Sequence, residues 1–190
     1  MNIINYKNVD VGKLSIHGYE KKYYIRYDKN FFFLKIPKAI LSEDISKIES
    51  GKYNIQICID PNHGDKSRQF IEKLTEINQQ LVYLFDIIGK HTNSILESNN
   101  NKYYINLHVI KNEDDPNNTK FYDKLGSELS YKHYKSLLKN GRIVSSIIYL
   151  NYIHFDDYNI PHIHINLFES IIFDELLYNN HKIELNYLNI

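Results

Sequence analysis

One stretch, residues 66–88, constrains the chain more than any other. Apolar side chains recur there at Phe70, Leu74, Ile77, Leu81, Leu84 or Phe85, and Ile88, and Gly89 stands where a helix stops. The 3.6-residue period, held for about six turns, predicts a long amphipathic helix. Such a stripe needs an apolar surface to lie on, and the sequence before it reads as strands. Residues 13–17 alternate Leu14 and Ile16 with polar neighbours, while 22–27 and 31–36 are dense in aromatic and β-branched residues. The break Asp28-Lys29-Asn30 is short enough for a hairpin, and Pro37 ends its second strand. Residues 39–50 read as a loop or one short helix. In 53–59, Tyr53, Ile55, Ile57 and Ile59 share one face and Asn54, Gln56 and Cys58 the other, the plainest strand alternation in the chain.

The turn Pro61-Asn62-His63-Gly64 leads into the helix, with Asp65 expected to cap it. Beyond the helix, strands are expected at 102–110 and, more briefly, 119–124, followed by a short helix over 129–139. Two long β-rich runs follow, 142–155 and 162–173, and 182–190 offers an edge strand. No internal repeat or linker divides the 190 residues, so a single domain over 1–190 is expected. The fold class is α+β and β-rich: an antiparallel barrel, partly closed, or a sandwich, around one dominant helix.

Composition excludes several classes. A hydrophobic fraction of 43% with 14% aromatics rules out wholesale disorder. A single cysteine, Cys58, rules out a disulfide scaffold or a cysteine zinc finger and fits a reducing compartment. No stretch approaches the roughly 18 apolar residues of a membrane span, so a soluble intracellular protein, without membrane contact, is expected. Ile (29), Asn (23), Lys (20) and Tyr (17) dominate, all written with A/T-rich codons. Their abundance therefore says little about binding; placement has to say it.

Charge sums to zero but is not evenly spread. Residues 1–142 hold 22 basic and 17 acidic side chains, net +5, and 143–190 are net −5. The two poles point to head-to-tail contact between copies of the chain, a homo-oligomer through oppositely charged ends.

Three constellations carry chemistry. Pro161-His162-Ile163-His164 with Glu169 spells half of a cupin-like metal site, and His154 in the neighbouring run offers a third imidazole. Against it, Glu169 has the wrong parity on an unbroken strand, and ordinary outward-facing histidines explain the pair. Asp60-Pro61-Asn62-His63-Gly64-Asp65 gathers two carboxylates and a histidine, the groups a nuclease or hydrolase uses, yet turn and cap chemistry accounts for every member. No phosphate-binding loop, nucleophile elbow or HExxH motif is present, so no catalytic residue is assigned and no cofactor is expected.

The third constellation interleaves rings and cations. In 21–27, Lys22, Tyr24 and Arg26 share one strand face. Lys35, Lys120, Tyr122, Lys124, Lys132, Tyr134, Lys135 and Arg142 extend the pattern. Cations tracking phosphates beside flat rings suit unpaired nucleic acid, whose bases each gain about 1–3 kcal/mol by stacking on an aromatic.

Taken in order, the segments resemble a known family. The run FFFLKIPKAILSEDI (31–45), then Gly51-Lys52-Tyr53-Asn54-Ile55 and the helix carrying Phe70, Leu74 and Ile77, is similar to the early part of single-stranded DNA-binding proteins of large DNA viruses or phages. Lys139-Asn140-Gly141-Arg142-Ile143-Val144, with 147–155 and 163–173, looks like their closing hairpin. The resemblance, over about residues 30–175, implies an OB-like five-stranded Greek-key barrel and a sequence-tolerant, non-enzymatic role on single-stranded DNA in viral or phage replication or recombination, in the host cytoplasm or at the viral replication site. Phosphates would meet Lys22, Arg26, Lys35, Lys120, Lys124, Lys132, Lys135 and Arg142, and bases Tyr24, Tyr122 and Tyr134. The rival is a viral structural or protein-interaction domain that pairs through its β-edges.

Overall fold

The chain is described by a computed structural model covering residues 2–49, 52–111 and 118–176. In chain order the strands begin with β1 (Ile3–Asn5), β2 (Leu14–Tyr19), β3 (Lys22–Tyr27), β4 (Asn30–Lys35), β5 (Ala39–Leu41), β6 (Ser46–Glu49) and β7 (Lys52–Ile59). Helix α1 (Asp65–Ile87) precedes β8 (Glu97–Asn99), β9 (Lys102–Ile110) and β10 (Lys120–Tyr122). Helix α2 (Tyr131–Leu137), β11 (Arg142–Phe155) and β12 (Pro161–Leu176) complete the described order.

Five of these strands close a ring. β5 pairs with β7, β7 with β9, β9 with β12, β12 with β11, and β11 returns to β5. Only the β9–β12 step is parallel. This is the Greek-key order of an OB-like barrel, as expected, with α2 set between its third and fourth strands. Tyr134 and the following Leu138 are buried, so α2 joins the core through them, with Tyr134 against Phe121 of β10.

A second group of strands leans on the barrel as a wing. β2, β3 and β4 form an antiparallel meander, and β1 adds to β4 in parallel. The hairpin expected after residue 27 forms with Asp28 and Lys29 both at positive φ (48° and 65°), the geometry of a tight turn matched to strand twist. The wing attaches because β11 outruns the barrel. Its edge pairs in succession with β5, β4 and β3, while β12 runs along its other side. Register shifts at 147/148 and 150/152 add residues on β12 and β11 respectively, bending both strands so that they serve barrel and wing together.

Helix α1 packs against the inner face of the wing. Phe70, Leu74, Ile77, Leu81 and Phe85 are buried, as their spacing predicts. Phe85 packs edge-on against Tyr23 of β3 (5.5 Å) and meets Phe155 at the wing end of β11 (5.8 Å). Each such side chain stabilises the fold by about 1.5–3 kcal/mol through burial.

Three local expectations change. Residues 39–41 and 46–49, expected as loop or short helix, are the strands β5 and β6: Ala39 and Leu41 alternate inward while β5 joins β11 to β7, and β6 pairs with the same β7. Asp65 is not the cap; Gly64 holds that position, and Asp65 is the first helical residue, paired with Arg68. Ile88 ends the stripe in solvent rather than on the sheet. The edge strand expected at 182–190 and the acidic side chains at 174, 175 and 184 lie outside the described residues. No helix among the described residues is long and apolar enough to cross a membrane.

Candidate nucleic-acid interface

Strands bury one face and expose the other, and here the side away from α1 carries the chemistry. On β3 the inward residues are Tyr23, Ile25 and Tyr27, leaving Lys22, Tyr24 and Arg26 outward. On β4, Phe32 and Leu34 point inward and Phe31, Phe33 and Lys35 outward. The two bulges reset parity on the long strands. β11 presents Tyr149, Tyr152 and His154 to this face, and β12 presents His162, His164, Asn166 and Phe168.

Pairing register aligns these residues into rows across the sheet. Lys22, His154 and His162 form one row; Tyr24, Tyr152 and His164 the next; Phe33, Tyr149 and Asn166 a third, which continues to His108 on β9. The rings touch along the way. Tyr24 meets Tyr152 edge-on at 5.8 Å, Tyr152 stacks on His164 at 4.3 Å, and His164 stacks on His108 at 5.2 Å. Phe33 stacks on Tyr149 at 4.8 Å and meets Phe168 at 4.9 Å.

Cations lie over this pavement. Lys22 Nζ sits 4.0 Å from the centroid of Tyr152, and the Arg26 guanidinium carbon 4.3 Å from that of Phe31. Phe33 and Tyr149 are nearly sealed, at 6% and 5% exposure, and act as the floor; Phe31, at 54%, stands clear, and Tyr24, Tyr152 and His164 are half-buried. Burial raises the pKa of Tyr149, with the nearby Arg26 opposing the shift. A fourth row, Lys35, Ile147, Glu169 and Lys120, crosses from β4 to β10.

Burial disfavours the charged form of His108, His154 and His164. Burial pushes the His164 pKa down to about 4, with His108, His154, His162 and Lys22 adding to the effect. His154 is lowered by burial and His162, against an opposing pull from Asp156, and His108 is lowered by burial and Lys52. His154 Nδ1 and His164 Nε2 lie 3.0 Å apart, a hydrogen bond that needs one ring to donate and the other to accept.

Residue by residue, the expected site divides. Lys22, Tyr24, Arg26 and Lys35 come together on the face just described. Lys120 and Tyr122 share its far end, where Lys120 pairs with Glu128 at 3.9 Å and burial raises the Tyr122 pKa, helped by Glu169 and Glu128. Lys124 follows β10, and Lys132 and Lys135 lie exposed on α2, a different element from the paved face. Two expected roles are corrected. Tyr134 is 5% exposed with its ring 4.2 Å from Phe121, a core ring with no face left for a base. Arg142 spends its guanidinium on the carbonyls of Leu137 and Phe173, both 3.2 Å away, where it ties α2 to β12.

The metal reading is also corrected. His154, His162, His164 and Glu169 do not converge: His162 turns to Asp156 at 3.2 Å, and Glu169 sits rows away opposite Ile147. No three described His, Cys, Asp or Glu side chains are grouped to hold an ion. Near residue 60, Asp60 accepts from the Asn62 amide and faces Lys102 and His63, so its carboxylate is occupied by the turn. Burial raises the Cys58 pKa.

Tyr149, Tyr152, His108 and Phe168 were not singled out in the sequence. The outward parity of Phe31 and Phe33 is readable beside Lys35, but Tyr152 and Phe168 are set outward by bulges that no alternation rule shows.

No protein-family model matches the chain, and no curated protein matches it in sequence. Fold comparison gives the class: an OB-like barrel of the type seen in phage single-stranded DNA-binding proteins. The gp2.5 single-stranded DNA-binding protein of bacteriophage T7 superposes with a TM-score of 0.56 over 80% of this chain and 91% of its own, at 8% identity. The single-stranded DNA-binding protein of bacteriophage Enc34 gives 0.56 over 89% and 95%, at 16% identity. The Enc34 protein in complex with ssDNA gives 0.55 over 87% and 99%, at 15% identity.

Proposed function

We propose that this chain is a sequence-tolerant, non-enzymatic single-stranded DNA-binding protein of a phage or viral replication or recombination system. The strand would lie across the outer face of β3, β4, β11 and β12. Its bases would stack on Tyr24, Phe31 and Tyr152, and its phosphates would meet Lys22, Arg26 and Lys35. The observation that carries this reading is the cross-strand pavement of rings with cations over it, on the sheet face that α1 leaves open. Rings accept any base, so such a surface favours tolerance over sequence readout. The likeness in fold to phage single-stranded DNA-binding proteins supports the same ligand.

The test is a fluorescence-anisotropy titration with a mixed-sequence oligonucleotide over a range of salt. Binding that weakens as salt rises, with a logarithmic slope of about −0.7 for each phosphate neutralised, supports the reading. A flat titration at low salt removes it and leaves the protein-interaction reading.

A further inference from the structure

The amides on the outer side of the barrel strands are not used alike. Gln56 accepts from the Ser42 hydroxyl at 2.7 Å and donates to Asn106 at 2.9 Å, and Asn106 donates to Glu97 at 2.7 Å, so that chain is spent within the fold. Asn166 of β12 differs. It is 8% exposed, and no hydrogen bond among the described residues engages its side chain. Nor is it sealed: the described side chains that hold a fully enclosed polar atom without a partner are Arg26 and Asn54. The Asn166 amide therefore keeps a narrow opening to solvent, with its donor and its acceptor both unspent.

Pairing sets Asn166 between Tyr149 of β11 and His108 of β9, and His164 and Phe168 stand two residues away on its own strand. One amide thus lies among four rings, in the third row of the paved face. Left unbonded there it destabilises the free protein, and a leucine of similar size would pack without that cost. Lys22 and Lys35, which stand ready for phosphates, lie on β3 and β4, two strand spacings or about 10 Å from β12. That is roughly the span from a phosphate to the pairing edge of its own base. A base lying over β11 therefore turns that edge toward Asn166.

We infer that Asn166 reads the pairing edge of an unpaired base, its amide oxygen accepting from the N–H on that edge and its amide N–H donating to the acceptor alongside. The inference rests on the single-stranded DNA reading and deepens it. Rings take a base by its face; Asn166 tests whether its edge is free. Adenine, cytosine, guanine and thymine each present a donor beside an acceptor there, so an amide that turns over serves all four and sequence tolerance is kept. In a duplex, or on a base methylated at that edge, the two groups are not on offer.

The experiment compares oligo-dT of about 12 nucleotides, within the roughly 4–16 that one OB barrel holds, with the same strand built from N3-methylthymine, whose ring still stacks but whose edge has lost its N–H. The parent protein should bind the methylated strand about 2- to 10-fold more weakly, the worth of a hydrogen bond. Asn166→Leu, close in size and without the amide, should bind plain oligo-dT more weakly by a similar factor and no longer distinguish the two strands. It should melt no lower than the parent, since no internal bond is lost. Equal affinity of the parent for both strands, a comparison that needs no variant, overturns the inference while leaving the stacking face intact. A variant that still prefers the unmethylated strand overturns it too, because another group would then read the edge. A lower melting temperature with unchanged binding marks a structural role and overturns it as well. No binding of either strand by the parent removes this inference and the single-stranded DNA reading together.

Discussion

At the residue scale the structure separates two kinds of tyrosine that look alike in the sequence. Tyr24 and Tyr152 lie half-buried on the outer face, while Tyr134 is in the core against Phe121. Tyr152→Ala should therefore weaken single-stranded DNA binding by about 1–3 kcal/mol, roughly 5- to 150-fold, with little change in melting temperature. Tyr134→Ala should do the reverse, costing about 3–5 kcal/mol of stability while the fraction that remains folded binds normally. Anisotropy and thermal unfolding on the same two variants distinguish the roles. Tyr134 was legible as a helix residue but not as a buried one, because its burial depends on Phe121 of β10.

His164 gives a prediction in pH. Its folded pKa of about 4 lies below the ordinary value of 6.5, so the unfolded chain binds the proton more readily. Stability attributable to His164 is thus fully present above about pH 6.5 and is lost as pH falls toward 4. Thermal melts at pH 7 and pH 5, repeated with His164→Asn, check it: the parent should lose stability at the lower pH, and the variant should lose less.

At the scale of the element, the wing depends on a close backbone approach at Gly18. A Cβ there would fall 2.1 Å from the Lys22 carbonyl oxygen on the paired strand, and neither backbone can yield without parting β2 from β3. Gly18→Ala should lower the melting temperature and, by shifting β3, also weaken DNA binding; retention of both would show that the wing is more plastic than its pairing implies. The helix and most strands could be read from period and turn chemistry alone, because α1 and β7 obey one rule along their whole length. β5 and β6 could not. Each is too short for a pattern of its own: β5 exists because the ring needs an edge between β11 and β7, and β6 only continues along the same edge of β7. The bulges on β11 and β12 were illegible for a related reason. An inserted residue reverses parity without leaving a compositional mark, which is why Glu169 seemed to face away from the histidines when it shares the outer face with them.

At the scale of the molecule, the neutral net charge conceals how the cations are used. Lys22, Arg26 and Lys35 gather on the sheet face opposite α1, whereas Lys21 is paired with Asp157, Lys73 with Glu76 and Lys139 with Asp44. The wing extends that face beyond the barrel along β11, and the rings pave the junction.

The central claim is that unpaired bases lie on this junction, and ring-selective NMR tests it most directly. Aromatic side-chain spectra recorded while oligo-dT is added should show the resonances of Tyr24, Phe31 and Tyr152 shifting upfield together, with Tyr134 and Phe121 unmoved. Shifts confined to β10 and α2, with the three outer rings silent at saturation, would contradict it.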